Sequence, residues 1–174
     1  MKIGEHGLRD HVKLLASLFG LIAAVWLLRL IMDLASSPHE LVRMVSVSVA
    51  GSVAVLVAVV LIHFKRFGGY ASVVVAAFLL VGWEELLIIL AIAFTAATGW
   101  MNVYTAPEYS YGGTYLRHIA GHLTIGLGIE GLFAAAMGCG LLWLLRRLVP
   151  IRDLSKSGRH VILHDSSSGT KTRT

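Results

Sequence analysis

The sequence is poor in charged residues, which make up 14% of its 174 residues, whereas 56% are hydrophobic. An ordinary globular domain carries about 25% charged residues. The few charges are also segregated, so that long stretches of the chain are almost free of them. This deficit excludes a soluble globular domain and predicts an integral membrane protein.

Cysteine is also scarce, and the common enzyme signatures are missing. Cys139 is the only cysteine, so an internal disulfide is excluded. The sequence contains no Gly-x-Ser-x-Gly elbow, no His-Glu-x-x-His zinc motif and no Walker phosphate loop. We therefore expect a protein without enzymatic activity.

Four apolar stretches are long enough for a helix of about 20 residues, the length that crosses the hydrocarbon core of a bilayer. Their runs are continuous rather than alternating, which disfavours a transmembrane β-barrel. They extend from about Leu14 to Leu34, Val42 to Phe64, Ala71 to Thr98 and Thr114 to Val149. The predicted fold is all-α: an antiparallel bundle of four transmembrane helices over residues 1–150, followed by a polar, basic cytoplasmic tail at 151–174.

The distribution of Lys and Arg predicts the orientation of this bundle. Twelve of the 15 Lys and Arg residues lie before the first helix, between the second and third helices, or at and beyond the end of the fourth. Only Arg43 and Arg117 lie on the opposite side, and Arg29 lies inside the first helix. Because short basic loops stay in the cytoplasm, we expect a plasma (inner) membrane protein with both termini cytoplasmic. This pattern accounts for the net charge of +5 without a nucleic-acid partner.

The two predicted external turns differ in character. Ser37 as an N-cap, Pro38 in the first helical position and Glu40 in a capping box predict a sharp start of the second helix. The turn between the third and fourth helices is longer and aromatic. Its rings form a belt at headgroup depth, a lid over the bundle or a contact surface for another subunit: Trp100, Tyr104, Tyr109, Tyr111 and Tyr115.

Ionisable residues inside membrane helices are costly and mark a site or an internal pair, and five of those in the predicted helices are candidates for an internal polar cluster. They are Arg29, Asp33, Glu84, Glu85 and Glu130. With a rise of about 1.5 Å per residue, all five fall in the middle and outer half of the bundle. Arg29 can pair with Asp33 on its own helix, or with Glu84 or Glu130 across helices. The cluster is therefore either a structural polar network or a functional site.

His118 and His122 lie one helical turn apart at the start of the fourth helix, which puts both imidazoles on one face. A neutral imidazole is a common metal ligand, so these residues are either interfacial histidines bonded to loop carbonyls or ligands of a metal or tetrapyrrole. Glu108 in the preceding loop is the best third ligand. Glu130 is a poor one, because it lies about 12 Å farther along the helix, and it is better suited to pair with Arg29. Nothing in the sequence requires a cofactor.

The fourth helix also contains the spacing Gly-x-Gly-x-x-Gly at Gly126, Gly128 and Gly131. A dinucleotide site needs a strand before this motif and a soluble βαβ unit around it. Since the motif here lies inside a membrane helix, we interpret it as a smooth face for close helix contact. The same face is expected to include Ala134, Ala135, Gly138 and Gly140.

Three functions stay open at this point. The small size and the absence of signatures favour a non-enzymatic accessory or structural subunit of a larger membrane assembly, or a homo-oligomer. The second hypothesis is a small proton-linked or ion carrier that uses Glu84 or Glu85 with Glu130 and Arg29, since a desolvated carboxylate can change protonation. The third is a metal- or tetrapyrrole-binding membrane subunit that uses the histidine pair.

Overall fold

The computed structural model describes residues 2–3, 6–105 and 114–149 of the chain, and these residues are almost entirely helical. A short antiparallel strand pair, Lys2–Ile3 (β1) and His6–Gly7 (β2), precedes the first helix. A π-helical segment, His122–Glu130, joins the last two helices. The α-helices are α1 (Leu8–Leu34), α2 (His39–Met44), α3 (Val47–Phe64), α4 (Tyr70–Thr98), α5 (Tyr115–Gly121) and α6 (Gly131–Leu148).

Among the described residues, four helical stretches are long and apolar enough to cross a membrane. They are Leu8–Leu34, His39–Phe64, Tyr70–Thr98 and Tyr115–Leu148. The prediction of an all-helical chain with four helices of membrane length is therefore confirmed. The expected tail at 151–174 lies outside the described residues.

The first helix begins at Leu8, earlier than the expected start near Leu14. The backbone N–H of Gly7 donates to the Asp10 carboxylate at 2.9 Å, which satisfies a group at the helix start. The start near Leu14 was predicted from the apolar run alone. The helix continues through polar residues because its first turn is capped.

The second membrane-length stretch is interrupted at residues 45 and 46, between α2 and α3. The predicted cap at Ser37 is wrong: its N–H donates to the Met32 carbonyl at 3.0 Å and closes the end of α1. No side-chain hydrogen bond caps α2. The cap forms instead at Ser46, whose hydroxyl accepts from the Val49 N–H at 3.3 Å and starts α3.

Helix α4 lies at the centre of the fold and contacts α1, α3, α5, the π-helical segment and α6. Small residues bring these helices close together. An added Cβ at Gly131 would press on the Phe78 ring, and one at Gly138 would press on Val73 and Val59. The expected smooth face is therefore present at these two glycines. It does not extend to Gly128 and Gly140, where an added Cβ would have no neighbour within 4 Å.

Candidate functional site

A cavity of about 720 Å³ lies between the helices, near the second half of α1 and the start of α3. Its walls come from α1, α2, the start of α3, α4, the turn after α4, and α5 with the π-helical segment. Ten polar side chains line it: Arg29, Arg43, Ser46, Ser48, Glu85, Tyr104, Arg117, His118, His122 and Glu130. The cavity therefore brings together three of the five residues of the predicted polar cluster, Arg29, Glu85 and Glu130, with both histidines of the predicted pair.

The packing of the fourth membrane-length stretch explains why a cavity forms here. Helix α3 packs closely on α6, which is the second half of that stretch, while the π-helical segment packs on α4. The first half of the stretch and the start of α3 thus enclose a space with α4 as its floor. Glu85 and Ile88 of α4 line that floor.

A hydrogen-bonded series of three side chains lies along the cavity wall. The Glu85 Oε2 atom is 2.6 Å from Nδ1 of His122, and Nε2 of His122 is 3.3 Å from Nε2 of His118. The Nε2–Nε2 bond between the two rings requires one ring to donate and the other to accept. His118 Nδ1 is buried and has no hydrogen-bond partner among the described residues. The series thus has a carboxylate at one end and an unused ring nitrogen at the other.

Gly126 makes room for the carboxylate end of this series. It lies in the π-helical segment, and an added Cβ would overlap the carboxyl atoms of Glu85. Any larger residue would therefore move Glu85 or push the segment away from α4. The close approach of backbone to carboxylate is a local reason for glycine at this position.

Glu84 points from α4 into a different interface, the one with α3. An added Cβ at Gly51 of α3 would overlap its carboxyl group, and the Ser48 hydroxyl hydrogen-bonds to it. Its Oε1 atom is buried without a hydrogen-bond partner among the described residues. Because a charged carboxylate is costly to bury without compensation, this environment suits the neutral acid. Glu84 is not among the residues that line the cavity, but Ser48, which bonds to it, is one of them.

The turn after α4 folds back towards the helices and brings Tyr104 to the cavity. The Asn102 side chain donates to the Ala91 carbonyl at 2.9 Å and to the Thr95 hydroxyl at 2.8 Å, and it accepts from the Tyr104 N–H at 3.0 Å. Tyr104 is consequently 6% exposed, whereas Trp100 of the same turn is exposed, as a belt residue would be. Tyr109 and Tyr111 lie outside the described residues.

Arg29 lies against Tyr104, with its guanidinium carbon 5.1 Å from the ring centroid. This is a cation–π distance. Burial raises the pKa of the Tyr104 phenol, and the nearby Arg29 charge offsets part of that increase. The phenol is therefore neutral at physiological pH, and the ring holds Arg29 at the cavity wall.

The other predicted site residues fall in three places. Glu130 lines the same cavity as Arg29 and the two histidines, with much of its side chain exposed. Asp33 is half-buried near the end of α1 and is not among the residues that line the cavity. Glu108 lies outside the described residues. Among the described residues, no group of three or more His, Cys, Asp and Glu side chains is arranged to hold a metal ion.

Several cavity residues were missed in the sequence. Arg43 and Arg117 were assigned only to the topology signal, and Tyr104 only to an aromatic belt or lid. Ser46 lies inside the stretch from Val42 to Phe64, which was interpreted only as a continuous apolar run. A cap residue in the middle of a membrane helix, with a polar neighbour at Ser48, is the signal that could have located this break.

No protein-family model, curated protein or solved structure matches the chain. The assignment of a function therefore depends on the chemistry of the cavity.

Proposed function

We propose that the chain is a small, non-enzymatic, proton-linked carrier in which His118, His122 and Glu85 pass protons within the polar cavity. The observation that supports this function is the continuous series from the Glu85 carboxylate through both imidazole rings. An imidazole can take a proton on one ring nitrogen and release one from the other. Two such rings in series with a carboxylate are able to relay a proton rather than only hold one.

The proposed membrane arrangement is an antiparallel bundle of four helices in the plasma (inner) membrane, with both termini cytoplasmic. The four membrane-length helices support it, and so does the concentration of Lys and Arg at one side. In this orientation the cavity opens towards the outer side of the membrane. The polar tail at 151–174 would then lie in the cytoplasm.

The relay has a definite order of steps. In the resting state, His122 donates its Nδ1–H to the Glu85 carboxylate and accepts at Nε2 from the Nε2–H of His118. A small shift of His118 exposes its buried Nδ1 to the cavity. A proton that binds there makes the ring cationic, and the Nε2 proton of His118 then passes to Nε2 of His122. The Nδ1 proton of His122 passes in turn to Glu85. The result is a neutral Glu85 acid and two neutral rings, with one proton moved from the cavity to the floor formed by α4.

The hypothesis of an accessory subunit, or of a homo-oligomer, stays a prediction. The cavity favours the carrier, because a protein that only docks to other subunits does not need a buried carboxylate and two imidazoles around a space of this size. Crosslinking after purification in mild detergent tests the hypothesis of an accessory subunit. A stable association with other chains, combined with the absence of proton movement, would favour it over the carrier.

Metal binding is the second candidate, and one distance favours it. The 3.3 Å between the two Nε2 atoms is about the separation of two ligands on a tetrahedral ion with bonds of about 2.05 Å. Glu85 on Nδ1 of His122 would then be the outer carboxylate that orients a ligating ring. Metal analysis and a visible absorption spectrum of the purified protein test this candidate, and they also test a bound tetrapyrrole. Metal or colour that disappears in His118→Ala would support it over the relay.

Infrared spectroscopy after a pH jump tests the relay directly on the protein reconstituted in lipid vesicles. We expect an acid carbonyl band that grows as pH falls and is missing in Glu85→Gln. The band should grow at least about tenfold more slowly in His118→Gln, since a positioned proton-transfer group contributes at least that much. His39→Gln, the same change at an exposed residue outside the cavity lining, is the control. A band that forms at the wild-type rate in His118→Gln would overturn the relay.

A further inference from the structure

We propose that the cavity binds a small organic anion, whose carboxylate or phosphate group is held by Arg29, Arg43 and Arg117. This inference rests on the proposed function, since the same cavity would take both the proton and the anion. Anion and proton would then move together with a smaller net charge than the anion has alone, which reduces the cost of crossing a low-dielectric region.

The charge of the cavity supports an anion. Three guanidinium groups line it against two carboxylates, and one of these carboxylates, Glu85, is already bonded to His122. Arginine presents its donors in a planar fork that matches carboxylate and phosphate oxygens. The lining therefore carries more cationic donors than its own acidic groups require.

Arg29 is the residue that the fold holds in position most firmly. It is half-buried on the cavity wall and lies against the buried Tyr104 ring. Tyr104 is held in turn by the Asn102 side chain, which also bonds to α4. A cation inside a membrane helix is costly, and its placement at the wall of a cavity is the arrangement that a ligand-binding arginine requires.

The start of α3 adds a second kind of anion donor. The break at residues 45 and 46 directs the first turn of α3 at the cavity, where Ser46, Val47 and Ser48 line the wall. The Val49 amide is bonded to the Ser46 hydroxyl, but the first-turn amides before it have no acceptor within their own helix, and a helix start attracts negative charge. In carriers, broken membrane helices present such starts to the anionic groups of substrates.

The size and the remaining lining of the cavity indicate an organic anion rather than a bare inorganic one. A volume of about 720 Å³ lies within the range of about 300–1,000 Å³ that small-molecule sites occupy. Apolar side chains complete the wall at Ile88, Val103 and Ile125. A molecule with one anionic group and a short apolar part would satisfy both surfaces.

Calorimetric titration of the full chain in a neutral detergent, with butyrate and with inorganic phosphate, tests the proposal. We expect binding that weakens at least about tenfold in Arg29→Gln, because charge-assisted hydrogen bonds are the strong ones. Arg43→Gln, at an exposed residue, gives the same comparison should Arg29→Gln fail to fold. Arg9→Gln, at the opposite end of α1, should bind as the wild type does.

An anionic lipid headgroup offers the same chemistry, so a second arm uses nanodiscs with and without phosphatidylglycerol. If the ligand is the lipid, phosphatidylglycerol in the nanodisc should abolish butyrate binding to the wild type. The Arg29→Gln variant should then retain less bound phosphatidylglycerol than the wild type. Equal binding of all these probes by the wild type and by both arginine variants would overturn the anion site. The Glu85 infrared band separates the two proposals: its persistence with no anion binding removes only the anion site, whereas its absence removes the relay.

Discussion

The two sides of α4 at Glu84 and Glu85 differ sharply, although these residues are neighbours in the chain and equally buried, at 2% and 3% exposed. Glu84 faces α3, where it meets Gly51 and a serine hydroxyl. Glu85 faces the π-helical segment, where it meets Gly126 and an imidazole at 2.6 Å. Adjacent residues of a helix diverge by about 100°, so each carboxyl group enters a different interface.

This difference shows that burial alone does not make a carboxylate functional. Both residues are held against a glycine of a neighbouring helix, which keeps those helices close. Among the described residues, Glu85 is bonded to an imidazole of the cavity wall, which can exchange a proton with it, whereas Glu84 is bonded to a serine hydroxyl. We therefore assign the α3 side a structural role and the π-helical side a chemical one, and the following predictions test that assignment.

The largest expected effect is the loss of proton movement in Glu85→Gln. The amide cannot accept the proton that His122 delivers, so proton uptake into vesicles, followed with an enclosed pH-sensitive dye, should fall about 100-fold. Glu84→Gln should leave uptake close to that of the wild type, because it keeps a neutral side chain of the same shape. Equal losses in the two variants would erase the distinction between the two sides.

The two glycines that contact these carboxyl groups, Gly126 and Gly51, give the next comparison. Gly126→Ala and Gly51→Ala each place a methyl group on a carboxyl group, and overpacking of this kind costs about 1–3 kcal/mol of unfolding free energy. Gly126→Ala should also displace Glu85 from His122 and slow proton uptake, whereas Gly51→Ala should not. Thermal unfolding in detergent and the dye assay measure the two effects separately. If proton uptake is preserved in Gly126→Ala, proton movement does not require the position that the Glu85 carboxyl group has against Gly126.

Gly138 tests whether close helix contact matters away from the carboxylates. Gly138→Ala would press on Val73 and Val59 and should destabilise the protein by about 1–3 kcal/mol. Gly140→Ala is the matched control two residues along α6, where no atom lies within 4 Å of the added methyl. It should be neutral or stabilising by up to about 1 kcal/mol, because alanine favours the helix. Similar thermal stabilities in the two variants would contradict the packing described for this helix pair.

The smallest expected effect is that of Ser48→Ala. Removal of the hydroxyl that bonds to Glu84 should cost about 0.5–1.5 kcal/mol and leave proton uptake unchanged. Ser52→Ala, at an exposed position one turn farther along α3, should not alter stability. Slower proton uptake in Ser48→Ala alone would mean that the α3 side takes part in the chemistry.

The helical architecture could be predicted because it depends on local properties of the chain. Apolar length located four helical stretches, and the spacing of His118 and His122 predicted that their rings share a face. The orientation of Glu85 towards His122 could not be derived in the same way. It depends on which helices are neighbours, and that is settled by packing between residues 37 positions apart.

Two further features had no dependable local signal. The break at residues 45 and 46 interrupts a pattern of apolar residues that is continuous on both sides. The cap was predicted at Ser37 because a proline follows that serine. The buried position of Tyr104 results from bonds of Asn102 to α4, which the composition of an aromatic turn does not reveal. The position of Tyr104 thus depends on hydrogen bonds that span 7 and 11 residues, whereas the break is marked only by the local cap at Ser46.

The π-helical segment makes the number of residues, as well as their identity, a property of the cavity. A π-helix bonds each N–H to the carbonyl five residues earlier, so this segment holds more residues per turn than an α-helix would. A change in the number of residues between His122 and Gly131 would alter this winding, and with it the direction of both imidazoles relative to α6. The length of the segment is therefore as important for the placement of these rings as the side chains themselves.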